Sequence, residues 1–207
     1  MHAERPTITT ADRPVTSDRQ ASFTVPGLSI EQGARVADCL QERLVALSDL
    51  SQTLKHIHWN VVGPHFIAVH EMLDPQYHAA TAMIDELAER IATLGGVPST
   101  LPRRSDDVRE WNDYSLDRAD SLAHLGALDM VFVGVVTGHR DAVDLVGEID
   151  LISQDLLVGQ TRQLERFHWF VRSHLADWAG GMANAGSTTE LGAARSVAAK
   201  SRRQRKA

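Results

Sequence analysis

Two short stretches of the chain concentrate side chains that bind metal ions: His70-Glu71-Met72-Leu73-Asp74 and Asp85-Glu86-Leu87-Ala88-Glu89. His70 and Asp74 are four residues apart, as are Asp85 and Glu89, so on a helix each pair faces one way. With His70 at zero and about 100° per residue, Asp74 falls at about 40°, Asp85 at about 60° and Glu89 at about 100°. All four share one side of a helix. Along its axis, however, His70 and Asp85 are about 22 Å apart, so one ion cannot touch both pairs on one chain. The outer and inner positions share a midpoint between residues 79 and 80. Laid antiparallel on its own copy, the helix brings His70 beside the partner subunit's Glu89 and Asp74 beside the partner subunit's Asp85. Such a twofold contact yields two equivalent sites. Ala79, Ala82 and Met83 lie between the pairs and are small or flexible enough for close approach.

His58 precedes a Gly63-Pro64 turn that folds it back towards His70. The candidate centre is therefore His58, His70 and Asp74 from one subunit with Asp85 and Glu89 from the other. Imidazole and carboxylate together suit iron(II), and also zinc, cobalt or manganese; without a thiolate nothing selects copper(I). The competing reading is a solvated face of charged residues at helical spacing. Pro75 opposes an unbroken helix, since it removes one hydrogen bond and crowds the preceding turn. It should kink the helix or make Asp74 its N-cap.

The elements that must position these groups are helices. Ser29-Ile30-Glu31-Gln32 has capping-box form and opens a helix expected over 29–59. Val36, Leu40, Leu44, Leu47, Leu50, Leu54 and Ile57 recur along it at three- or four-residue steps. A second helix is expected over 66–94, ending at Gly95-Gly96-Val97-Pro98. Residues 99–118 form a long linker with a short helix expected near 109–114. Third and fourth helices follow over 118–146 and 151–178, and Gly180-Gly181 ends regular structure. No segment alternates as a strand does; the Val131-Phe132-Val133 run sits inside a helical period. The fold class is thus all-α, a ferritin-like four-helix bundle with one long crossover. The expected organisation is a flexible arm (1–25), the bundle (26–179) and a flexible basic tail (180–207).

Composition agrees with one domain: 207 residues, 43% apolar and 23% charged. No run reaches the roughly 18 apolar residues of a membrane span, and the N-terminus has no apolar stretch of the secretory kind. Cys39, the one cysteine, excludes an internal disulfide framework and a cysteine-rich zinc site. A reduced, cytoplasmic setting is expected, with Cys39 a small buried apolar group.

The net charge of −6 is unevenly placed. The last thirteen residues carry Arg195, Lys200, Arg202, Arg203, Arg205 and Lys206 and no acid. Removing those six from the 21 cations leaves 15 against 27 acids, so residues 1–194 carry −12. A basic segment of this kind neutralises phosphates without reading bases, whereas the acidic body repels DNA. Many short basic termini serve solubility alone. Several tails on one assembly would act multivalently.

His58-Trp59-Asn60-Val61-Val62-Gly63, followed by Phe66 through Asp74, resembles the signature of Dps proteins, the DNA-binding proteins from starved cells. Asp85…Glu89-Arg90, Leu94-Gly95-Gly96 and Leu164-Glu165-Arg166-Phe167-His168-Trp169-Phe170 continue the likeness, which covers about residues 24–178. The resemblance implies a hollow shell of twelve subunits with ferroxidase sites at twofold interfaces. There iron(II), held as one or two ions per site, is oxidised, preferably by hydrogen peroxide rather than dioxygen, and stored as ferric mineral. The family's ligands fall on His58, His70, Asp74, Asp85 and Glu89. The implied protein protects DNA in the cytoplasm at the nucleoid and has no membrane partner.

Other groups read more plainly. Glu165 and His168 form a lone Glu-x-x-His, whereas an intra-chain di-iron oxygenase needs two such motifs and two further glutamates. Trp59 reads as a core anchor, or through the family as a sink for stray oxidising equivalents. Asp144, Glu148, Asp150 and Asp155 are a solvated loop, or the acidic mouth of a threefold pore. A structural protein that coats DNA without iron chemistry is the competing functional class.

Overall fold

The computed structural model describes residues 22–100, 114–177 and 179–204. The expected arm over residues 1–21, the short helix near 109–114 except Tyr114, and Arg205 and Lys206 lie outside the described residues.

Helix α1 (Ile30–Asn60) starts as its capping box requires. The Ser29 hydroxyl accepts the Gln32 N–H at 3.1 Å, and the Gln32 side chain accepts the Ser29 N–H at 2.9 Å. Its leucine ladder, with Val36 and Ile57, is almost wholly buried. After a reversal, α2 (Phe66–Thr93) folds back along it. Pro75 sits inside α2 and neither ends it nor makes Asp74 an N-cap. The lost hydrogen bond is outweighed by one continuous buried face, Val69, Leu73, Ala80, Met83, Leu87 and Ile91. At the far end Gly95 takes a left-handed φ of 87°, and the Gly96 N–H reaches back to the Ile91 carbonyl at 2.9 Å.

The chain then crosses the bundle. Ser99 is held by Gln41 near the start of α1, through hydrogen bonds of 2.7 and 3.0 Å. Leu116 accepts from His56 near its end, at 2.7 Å. The two anchored ends of the linker are thus separated by fifteen residues of α1, from 41 to 56, about 22 Å or half the helix. The linker closes with a pairing the sequence did not announce. β1 (Val61–Val62) lies parallel to β2 (Ala119–Asp120), with Val61 opposite Ala119 and Val62 opposite Asp120. Two residues are too few to show alternation, and a parallel pair needs a long crossover such as this.

Helices α3 (Ser121–Gly147) and α4 (Leu151–Leu175) form the second hairpin. Asp120 and Asp150 are their N-caps, accepting from Leu122 and from Ile152 and Ser153. In length and mean hydropathy (1.5) α3 matches a membrane-crossing helix. Its position explains this: α1, α4 and a further helix all pack on it.

That further helix corrects the expected flexible tail. Helix α5 (Glu190–Gln204) packs on α3 and buries Ala193, Ala194 and Val197. Thr189 opens it, its hydroxyl accepting the Gly192 N–H at 3.1 Å. The alanine-rich stretch forms helix readily, and small side chains on α3 give it a surface. α4 likewise stops at Leu175 rather than 178, where Ala176 turns extended and bridges to Met182.

Candidate metal centre

The reversal between α1 and α2 sets the geometry. Gly63, with φ of 105°, makes a turn that an L side chain rarely adopts; a Cβ there would lie 2.8 Å from the Asp120 carboxylate. The turn stacks His58 on His70, ring centroids 3.6 Å apart and 21° from parallel. His58 Nδ1 is 2.9 Å from the His70 carbonyl, and His70 Nδ1 is 2.9 Å from the His58 carbonyl. A carbonyl only accepts, so each Nδ1 carries a proton, and Nε2 is the nitrogen of each ring left outside this contact.

Asp74 stands one turn beyond His70. Its Oδ1 accepts from Lys55 Nζ at 2.8 Å and lies 3.4 Å from His58 Nδ1. The Lys55 hydrogen bond, aided by the charges of His58, Lys55 and His70, holds the Asp74 carboxyl below the usual carboxylate range despite some desolvation. Lys55 escapes a sequence reading because lysine on a helix is ordinarily solvated; its only signal is its place three residues before His58. Its ammonium also sits 5.0 Å from the Tyr77 ring. Among the described residues of one chain, no three His, Cys, Asp or Glu side chains are placed to hold a metal ion.

Asp85 and Glu89 are exposed further along α2, apart from the histidine pair. Met83, expected between the pairs on their common face, points instead into the subunit's own core. Ala82 remains exposed, and Ala79 is half-buried. Trp59, expected in the core, is 71% exposed, and Phe66 and Ile67 beside it are also exposed. The histidine pair thus opens onto an apolar surface of the single chain.

The remaining candidates separate. Asp150 is not a free acid of a pore mouth: it is buried, caps α4 and accepts from Arg90 at 2.6 Å. Burial opposes its ionisation, but hydrogen bonds from Ser153 and Arg90 prevail and lower its pKa. Asp144, Glu148 and Asp155 are exposed. Glu165 pairs with Arg140, and His168 Nε2 donates to Asp129 Oδ1 at 2.7 Å, so the Glu-x-x-His motif is used for packing. Asp129 went unnoticed in the sequence, where the signal was an acid inside the most apolar helix. Cys39 is half-buried rather than buried, and desolvation pushes its thiol pKa up. Of the basic C-terminal residues, Arg195 and Lys200 are exposed on α5, and Arg202 and Arg203 lie on its last turn.

A ferritin-like domain family matches residues 37–180. The chain is 50% identical over 173 residues to the DNA protection during starvation protein of Mycolicibacterium smegmatis, spanning 84% of this chain and 94% of that one. Among solved structures it is similar to Mycobacterium smegmatis Dps, with 49% identity and a TM-score of 0.78 over 81% of this chain and 96% of that one. DpsA14 from Streptomyces coelicolor is 54% identical, with a TM-score of 0.77 over 81% of this chain and 99% of that one. The chain belongs to the Dps family. Its fold is the ferritin-like bundle that the helix pattern and crossover indicated. In this Dps protein the ferritin-like match ends at residue 180, so α5 lies beyond it.

Proposed function

We propose that this Dps protein is a ferroxidase and iron-storage protein that protects DNA. The observation that carries the reading is the reciprocal hold of His58 and His70, which engages both Nδ1 atoms and leaves Nε2 as the remaining nitrogen of each ring, with Asp74 Oδ1 3.4 Å from His58. A second copy, applied about a twofold between residues 79 and 80, supplies the partner subunit's Asp85 and Glu89. The exposed Trp59, Phe66 and Ile67 support a surface made to be covered. Imidazole and carboxylate donors fit iron(II), here the substrate.

Each site holds one or two iron(II) ions, and the ligands leave positions open to the oxidant. Hydrogen peroxide, preferred over dioxygen, accepts one electron from each of two iron(II) ions and, with two protons, leaves as two waters. Transfer in pairs releases no hydroxyl radical. The ferric product is kept inside a dodecameric shell. DNA, at the nucleoid in the cytoplasm, is contacted without sequence preference through Arg195, Lys200, Arg202, Arg203, Arg205 and Lys206.

The deciding experiment is anaerobic oxidation of iron(II) by peroxide, comparing the native protein with Asp85→Ala/Glu89→Ala. Fast native oxidation that falls to the protein-free rate in the variant supports the shared site. If both proteins match the protein-free rate, the ferroxidase reading fails and a DNA-coating role through the basic tail takes its place.

A further inference from the structure

Helix α5 is held by contacts that admit little change. A Cβ at Gly126 of α3 would lie 2.8 Å from Val197 Cγ2 and 3.1 Å from the Ala193 carbonyl oxygen, so only glycine lets α5 approach so closely. Ala194 packs with Ala123 and Ala127 in the same small-residue contact. The segment leading into α5 is fastened too. Asn184 Nδ2 donates to the buried Asp129 Oδ2 at 2.7 Å, and Ser196 Oγ to the Ala183 carbonyl at 3.0 Å. Lys200 Nζ, one of the basic groups, donates to the Met182 carbonyl at 3.1 Å.

One feature works against this docking. Glu190, in the first turn of α5, is buried to 9% exposure, and its Oε2 has no hydrogen-bond partner. A buried polar oxygen without a partner opposes the burial that creates it. Small apolar contacts and a few hydrogen bonds are thus balanced against a desolvated carboxyl group, which makes α5 a releasable element.

Charge gives the release a consequence. Residues 1–194 carry −12, and the docked helix keeps Arg195 and Lys200 on that acidic body. Fields reach about 8 Å at physiological salt, so cations carried on a helix packed against the body feel its net negative charge. Released, the segment extends by roughly 3.3 Å per residue and clears that distance within a few residues.

We infer that docking of α5 on α3 is autoinhibitory for DNA binding: the Gly126–Val197 contact keeps Arg195 and Lys200 close to the acidic body, and release frees the segment for phosphates. This rests on the reading of the C-terminal segment as the DNA contact. The test uses the full chain in a Cys39→Ser background. Ala123→Cys/Ala194→Cys, in the small-residue contact where both positions already carry a Cβ, locks α5 when oxidised and frees it when reduced, and Gly126→Val displaces it with no change in charge. Amide exchange over residues 190–204 reports docking, and gel retardation of duplex DNA across a salt series reports binding. The locked protein should bind DNA about tenfold more weakly than its reduced form, with a shallower salt dependence, and Gly126→Val should bind more tightly than the parent. Equal affinity in locked, reduced and displaced forms, or tighter binding by the locked form, overturns the inference. Deletion of residues 187–207 separates the two readings. If it leaves retardation unchanged, the DNA role of the tail fails; if it abolishes retardation while the other three forms bind equally, only autoinhibition fails.

Discussion

His58 and His70 hold one another: each ring donates its Nδ1–H to the other's backbone carbonyl at 2.9 Å. Each histidine is therefore both a candidate ligand and the orienting group for its neighbour. Groups that orient metal ligands are worth about 10–100-fold in affinity. His70→Ala should thus weaken metal binding by more than the loss of one donor. Anaerobic titration with cobalt(II), read from its visible spectrum, checks this. Unchanged affinity in the variant would remove both histidines from the site.

Lys55 holds Asp74 Oδ1, one of the two oxygens that the carboxylate could offer a metal ion. Lys55→Met removes the competing cation while keeping a long apolar stem. Metal affinity should rise, and its dependence on salt should change. A calorimetric titration with zinc decides it; weaker binding would mean that the lysine supports the site rather than competes for it.

Arg90 and Asp150 join the end of α2 to the start of α4. Asp150 is also a helix cap, so removing the guanidinium leaves a buried carboxylate with reduced support. Arg90→Met should cost about 3–5 kcal/mol, as expected when one partner of a buried pair is lost. Urea unfolding at fixed protein concentration measures it. Because Asp150 ionises more readily in the folded chain than in the unfolded one, its contribution is present above the ordinary aspartate pKa and is lost as pH falls through its lowered value.

His139 lies wholly inside the bundle, donating from Nδ1 to the Val135 carbonyl at 3.0 Å. Burial pushes its pKa down to about 4. The unfolded chain, with a histidine near 6.5, binds this proton more readily. Stability associated with His139 is therefore complete above about pH 6.5 and declines as pH falls towards 4, by about 3 kcal/mol in all. His139→Leu should flatten that part of the pH profile. A profile identical to that of the native protein would show that other groups cause the decline.

The bundle was legible because periodic burial leaves a strong mark: Leu40, Leu44, Leu47 and Leu54 recur at helical steps, and each is buried. The Ser29 cap and the Gly95 stop were readable for the same local reason. Trp59 and Met83 were misplaced because a helical wheel orders side chains by angle and does not say which face meets the neighbouring helix. Pro75 did not make Asp74 an N-cap, since local propensity yields to a long buried face. Helix α5 was missed because its contact is made of alanine and one glycine, which carry almost no hydrophobic signal. The five proposed ligands came from spacing and resemblance; the mutual hold of His58 and His70 depends on a turn whose shape no spacing encodes.

The small parallel pairing of β1 with β2 orders the assembly of the fold in time. Each hairpin closes over a short turn, whereas the contact of Ser121 Oγ with the Val62 carbonyl, at 3.2 Å, joins residues 59 apart. Closing so long a loop costs more chain entropy than closing either turn. The helical hairpins should therefore form in the earliest phase of folding, and the strand pair should bolt them together last. β1 directly follows Asn60, the last residue of the helix that carries His58, so the histidine pair should gain its final setting with that late step. The proposed oxidising chemistry would thereby be withheld from the immature chain.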